Sequence, residues 1–153
     1  MDPDSAVVDL GVCIGCGECV ARCSYGAIRT KWKTDPAVAQ EKIVDHAAAV
    51  LEAKKNKTLY LTFVTNVTPD CDCWDFTDAP LVADIGVLAS KDPVAIDQAA
   101  YDLVTAAPGA VGGLGEGMVP GDDKFAKVTG INGSVTLEYA EERGLGTRRY
   151  VLK

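Results

Sequence analysis

The segment Cys13-Ile14-Gly15-Cys16-Gly17-Glu18-Cys19-Val20-Ala21-Arg22-Cys23 sets four thiols at the spacing C-x2-C-x2-C-x3-C. Thiolates at this spacing suit an iron–sulfur cubane: three of them, two residues apart, fold around three irons. Gly15 and Gly17 let backbone N–H groups approach the cluster sulfurs and donate hydrogen bonds that tune the potential. A structural zinc site usually splits its ligands into two distant pairs, which leaves the third cysteine of this run badly placed. A disulfide framework is the mark of small exported chains, and a chain of 153 residues with 48% apolar content does not need such staples. The spacing therefore points to iron and sulfide, with Cys13, Cys16, Cys19 and Cys23 as candidate ligands of a 4Fe-4S cluster.

This is the bacterial ferredoxin run, except that Ser24 stands where proline usually follows. In two-cluster ferredoxins the first three cysteines of a run hold one cluster and the fourth, here Cys23, serves the other. One run is present, so Cys13, Cys16 and Cys19 look like three ligands awaiting a fourth. Cys71 or Cys73 supplies it, another chain supplies it, or the sequence begins inside a longer protein with a second run upstream.

A second constellation, Asp70-Cys71-Asp72-Cys73-Trp74-Asp75, follows an apolar strand pattern, with Asp78, Asp84, Asp92 and Asp97 soon after. Beyond a strand's carboxyl end is where ligands usually bind in α/β sheets, and thiolates with carboxylates can ligate a metal. Equally, the two cysteines can be small packed residues and the aspartates caps and solvated turns, Asp92 above all. The single histidine, His46, reads as a surface or boundary residue of a helix, which leaves a Ser-His or Cys-His pair with little support. Gly112-Gly113-Leu114-Gly115-Glu116-Gly117 lacks the preceding strand and following helix of a phosphate loop, so a flexible glycine loop is expected. Lys31, Trp32 and Lys33 read as a solvated surface run rather than a docking spot.

The elements that must position these residues begin after a Gly- and Cys-rich, aperiodic stretch at 1–33, which suits a metal site built from loops. Asp35-Pro36 starts a helix over about 36–54, with Ile43, Ala47, Val50 and Leu51 as its apolar stripe. Thr58 to Val64 reads as a well-buried strand with Leu59, Leu61 and Phe63 on one face. Asp84 to Ser90 reads as a second strand, and Asp92-Pro93 starts a helix to about Ala106, with Ala99, Ala100, Leu103 and Ala107 inward. From Pro108 to Gly130 a long irregular segment is expected. Ser134 then opens a helix that stops at Gly144, where Leu145 makes the apolar contact common after a glycine cap, and Arg148 to Leu152 reads as a last strand. The expectation is an α/β fold: a ferredoxin-type segment at 1–33 and an α/β layered domain at 34–153, the latter incomplete if the sequence begins inside a longer protein.

A formal charge of -7, from 22 acidic and 15 basic residues, disfavours nucleic acid or an anionic membrane as the main partner and favours a basic redox protein. No run of about 18 apolar residues is present to span a bilayer. The acidic start Met1-Asp2-Pro3-Asp4-Ser5 is unlike a signal peptide, so a reducing, cytoplasmic setting is expected.

Val7-Val8-Asp9 ahead of the cysteine run and Tyr25-Gly26-Ala27-Ile28 after it resemble the second half of a two-cluster ferredoxin insert. Thr65-Asn66-Val67-Thr68-Pro69-Asp70-Cys71-Asp72-Cys73-Trp74, Asp78-Ala79-Pro80 and the stretch from Asp84 to Ala99 are similar to a prokaryotic family of uncharacterised iron–sulfur centre proteins. In that family a domain of unknown function is interrupted by a ferredoxin module. The resemblance implies that this chain corresponds to a C-terminal portion, that it carries clusters, and that the Cys71–Cys73 loop matters. Three functions follow as expectations: an electron-transfer protein, a metal- or cluster-dependent oxidoreductase with its substrate site near Cys71 and Cys73, or a fragment needing a partner chain, a second copy or another protein, to complete its clusters or sheet.

Overall fold

The computed structural model describes residues 7–28, 35–55, 57–70 and 77–153. The chain forms two compact units, Met1–Thr34 and Asp35–Lys153. The described part of the first unit contains one short helix, α1 (Glu18–Arg22), and none of its residues is buried.

The second unit mixes helices with a small sheet. Its first helix, α2 (Pro36–Ala53), begins as its sequence dictates: the Asp35 carboxylate accepts the Ala37 N–H at 2.9 Å, and Pro36 fills the position where a missing N–H costs nothing. Its buried side is centred on Val44, whereas Ile43 stays 63% exposed and Val50 is also exposed. The expected stripe was thus one residue out of phase, about 100° around a helix of 3.6 residues per turn.

Strands β1 (Tyr60–Val64) and β2 (Gly86–Ser90) pair antiparallel, with Tyr60 opposite Ser90 and Phe63 opposite Val87. β2 starts later than its composition suggests because Asp84 is a turn residue whose side chain accepts the Asn66 N–H at 2.8 Å, with Asn66 itself left-handed at φ 46°. Helix α3 (Pro93–Ala106) packs on both strands. Val64 on β1 and Val104 on α3 close on Leu81 and Val82, with Leu88 and Phe125 at the margin of this core. The other sheet face is bare: Leu61 is 59%, Phe63 67% and Val87 55% exposed. The expectation of a well-buried strand is therefore corrected; only the Tyr60, Thr62 and Val64 side is sheltered.

After α3 the chain is irregular up to a short helix, α4 (Lys124–Thr129), which interrupts the irregular segment expected from Pro108 to Gly130. Asp123 caps it, accepting the Ala126 N–H at 3.0 Å, and Gly130 ends it at φ 73°. Nor is the glycine run before it loose. A Cβ on Gly113 would fall 2.1 Å from the Pro80 carbonyl oxygen, and one on Gly115 1.8 Å from that of Leu81. Glycine is present there because two backbones touch. Lys124 is fully buried, its ammonium donating to the Thr105 carbonyl at 3.0 Å and the Asp122 carbonyl at 3.3 Å.

Helix α5 (Ser134–Glu142) packs on α2 around Val44, Val94 and Ala140. It ends as expected: Gly144 is left-handed at φ 72°, its N–H reaches the Glu141 carbonyl, and the Leu145 N–H reaches that of Ala140 at 3.1 Å. This is a Schellman turn, and Leu145 joins the core. The expected strand Arg148–Leu152 does not form. Side chains tether that tail instead: Asp92 accepts the Thr147 N–H at 3.0 Å, Glu141 that of Arg148 at 2.8 Å, and Asp102 the Tyr150 hydroxyl at 2.9 Å.

Candidate functional site

The cysteine run lies on an open stretch around α1. Asp9 holds the approach, its carbonyl accepting the Cys13 N–H at 2.9 Å and its side chain the Gly11 N–H at 2.8 Å. Gly15 and Gly17 are both left-handed at φ 72°, a conformation that glycine adopts without penalty, and Gly17 is the residue from which α1 starts. These two positions bend the chain between successive thiols. The four cysteines are free thiols: Cys13, Cys16 and Cys19 are exposed and Cys23 is half-buried.

Cys23 differs from the other three in its surroundings. The chain turns back over its sulfur, with the Ala27 N–H donating to Sγ at 3.3 Å. Backbone N–H groups of Ile28, then Ala27 and Tyr25, hold this thiol below its ordinary pKa. A thiolate stabilised by amides is the form that ligates metal.

Among the described residues, no three His, Cys, Asp or Glu side chains are drawn together as a metal site. The thiols of the run stand as separate donors: of the donor set for a cluster, the side-chain chemistry, exposure and amide contacts are present, while convergence on one point is not. Cys71 and Cys73 lie outside the described residues, as do Lys31, Trp32 and Lys33.

The aspartates that follow Cys73 are dispersed. Asp84 serves the Asn66 turn, and Asp92 caps α3, its Oδ1 accepting the N–H groups of Val94 and Ala95, both at 2.9 Å. Asp97 is on the exposed side of α3, and Asp78 is partly buried in the loop before Leu81. His46 is exposed on α2, at a surface position as its sequence context suggests. What sequence reasoning did not find is a cleft in the second unit that gathers Lys55, Lys91 and Arg143. Their separation along the chain leaves no local signal.

With this geometry in place, comparison with known proteins adds one relation. Residues 12–102, more than half of the chain, match the family described as Domain of unknown function (DUF362), and the chain belongs to it. The match runs through the cysteine run, β1 and β2 and ends inside α3. No curated protein and no solved structure matches. Among the described residues, no helix is long and apolar enough to cross a membrane.

Proposed function

We propose that this chain binds a 4Fe-4S cluster through the run Cys13, Cys16, Cys19 and Cys23 and passes single electrons to a redox partner protein in the cytoplasm. The observation that carries the reading is the C-x2-C-x2-C-x3-C spacing in a unit that has no buried residue among those described. Units of fewer than about 40 residues usually need disulfides, metals or assembly to fold, and these thiols are not paired as disulfides. Cys13, Cys16 and Cys19 would hold the cluster, and the amides around Cys23 prepare that sulfur for the same role or for a second cluster. When bound, the cluster supplies one-electron chemistry. The protein's own part is to present thiolates, donate amide hydrogen bonds and keep the site open to a partner.

Anaerobic reconstitution tests this. Brown protein with iron and sulfide in near-equal amounts, and a paramagnetic signal on reduction, is the expected result; a colourless, iron-free product overturns the proposal. Substituting Cys71 and Cys73 by serine separates the neighbouring reading of an oxidoreductase site. Lower cluster content makes them ligands, and unchanged cluster content with loss of another bound metal favours the enzyme.

A second reading, that the chain needs a further polypeptide layer to work, is favoured by the bare apolar face of Leu61, Phe63 and Val87. Strands apolar on both faces are the pattern of a sheet covered on both sides, and a two-stranded sheet is marginal by itself. Sedimentation of the purified, reconstituted chain decides it: a stable, cluster-loaded monomer removes this reading.

A further inference from the structure

In the second unit, the end of α2, the start of β1, the β2–α3 turn and the Schellman turn after α5 border a half-open cleft of about 710 Å³. That volume lies within the range of about 300–1,000 Å³ typical of small-molecule sites. Its charge runs against that of the protein. The chain has 22 acidic and 15 basic residues, yet Lys55, Lys91 and Arg143 line the cleft against one carboxylate, Glu52. Like charges that line one cavity repel, and an anion among them relieves that repulsion.

The individual groups are arranged to receive such an anion. Among the described residues Lys55 and Lys91 make no ion pair, whereas Arg22, Lys127, Arg143 and Arg148 each do. Arg143 gives its Nε to Asp45 at 3.2 Å, which orients the guanidinium and leaves its terminal amino groups as a fork. The Tyr60 hydroxyl donates to Thr58 Oγ1 at 2.9 Å, so the Thr58 proton is directed to another acceptor. Backbone amides at the start of α3 are not the receptor, since Asp92 already accepts those of Val94 and Ala95. Recognition therefore falls to side chains: two lysines as compact point charges, a guanidinium fork and a hydroxyl.

We propose that this cleft binds a small phosphorylated molecule, its phosphate seated between Lys55, Lys91 and Arg143 and its remainder along Tyr60 and Leu145. Against Glu52 and against Asp45, which already pairs with Arg143, the three cations leave a net positive charge of one, and the two lysines supply the charge that meets the phosphate oxygens. The site is independent of the cysteine run, so it stands or falls apart from the cluster.

The experiment is calorimetric titration of the whole reconstituted chain with inorganic pyrophosphate, at low and then physiological ionic strength, with citrate as the carboxylate arm. Pyrophosphate is expected to bind, more weakly as salt rises. Lys55→Gln and Lys91→Gln should each weaken it about tenfold, the scale of one charge-assisted hydrogen bond at a partly exposed site. Lys42→Gln, outside the cleft, should leave affinity unchanged. Absence of binding at low salt, affinity in the two cleft variants equal to that of the parent, or citrate binding as tightly as pyrophosphate overturns the proposal.

Discussion

Replacing Gly115 by alanine is the sharpest test of how the second unit is held together. The added Cβ would lie 1.8 Å from the Leu81 carbonyl oxygen and 2.7 Å from its carbonyl carbon, against about 3.5 Å for a relaxed contact. Both partners are backbone, so no rotamer change relieves the overlap and the two segments must separate. Leu81 is the wrong residue to move: it is 0% exposed, its N–H donates to the Val67 carbonyl at 2.7 Å, and its own carbonyl accepts the Ala110 N–H at 2.9 Å. Val82 beside it bridges to Gly109 and is buried in the same core. Overpacking costs about 1–3 kcal/mol, and losing one of these buried backbone hydrogen bonds about 1–3 kcal/mol more. Gly115→Ala should therefore destabilise by about 2–6 kcal/mol, a large share of the stability of an ordinary domain. Gly117 provides the control, being left-handed at φ 82° with no atom within 4 Å of an added Cβ. Gly117→Ala should cost only the left-handed strain, about 1–2 kcal/mol. Urea unfolding followed by circular dichroism, compared at equal slope, measures both. If the two variants agree within about 1 kcal/mol, the close approach of backbones is not what requires glycine at 115.

Asp92 performs two jobs with two oxygens, and its variants should separate them. Asp92→Ala loses the α3 cap and the Thr147 tether, about 2–3 kcal/mol together, whereas Asp92→Asn keeps a capping oxygen but presents an amide to the Thr147 N–H, and should fall between that variant and the parent in urea midpoint. Tyr101, Tyr139 and Tyr150 are all held above the ordinary phenol pKa, first by burial and then by Asp123, Asp45 and Asp102 respectively. A folded-state value raised above the unfolded one stabilises fully below about pH 10, and that contribution is lost as pH climbs further. Tyrosinate absorbance should accordingly rise for these three only at higher pH, with stability falling above about pH 10; three phenols ionising at the free value in the folded protein would contradict this.

Where local chemistry decides an outcome, the sequence was readable. Asp35-Pro36, Asp92-Pro93 and Gly144-Leu145 each carry the whole mechanism of a helix end in adjacent residues, and each helix starts or stops there. The failures share a different cause. Arg148 to Leu152 has strand composition but pairs with no strand among the described residues, and the side chains of Glu141, Gln98 and Asp102 claim it instead. Gly113 and Gly115 read as loop looseness because the backbone they touch, Pro80–Leu81, is over thirty residues distant in sequence and leaves no trace near them. Leu61 and Phe63 announce a face that favours burial, but composition states a preference and not whether anything covers it. Likewise the cysteine spacing names a ligand class, whereas the assembly of a cleft from Lys55, Lys91 and Arg143 depends on the fold alone.

The first unit poses the same question in its strongest form, because little among its described residues besides the thiols can offset the cost of order. Helix α1 has five residues, far below the length of about 12–15 at which a helix begins to stand in water, and it buries no side chain. Its Glu18–Arg22 ion pair at 3.3 Å is largely exposed and adds little. If the run is ligated as proposed, metal-binding free energy becomes folding free energy there, because the site is not preformed among the described residues. Loading with iron and sulfide should therefore slow amide hydrogen exchange across Cys13–Ile28, with the Ala27 N–H that faces the Cys23 sulfur among the most affected. Exchange at Leu81 and Ala110, which are hydrogen-bonded within the other unit, should hardly change. Equal protection of Cys13–Ile28 with and without iron would mean that the run folds on contacts other than ligation, and would remove the physical reason for assigning it a cluster.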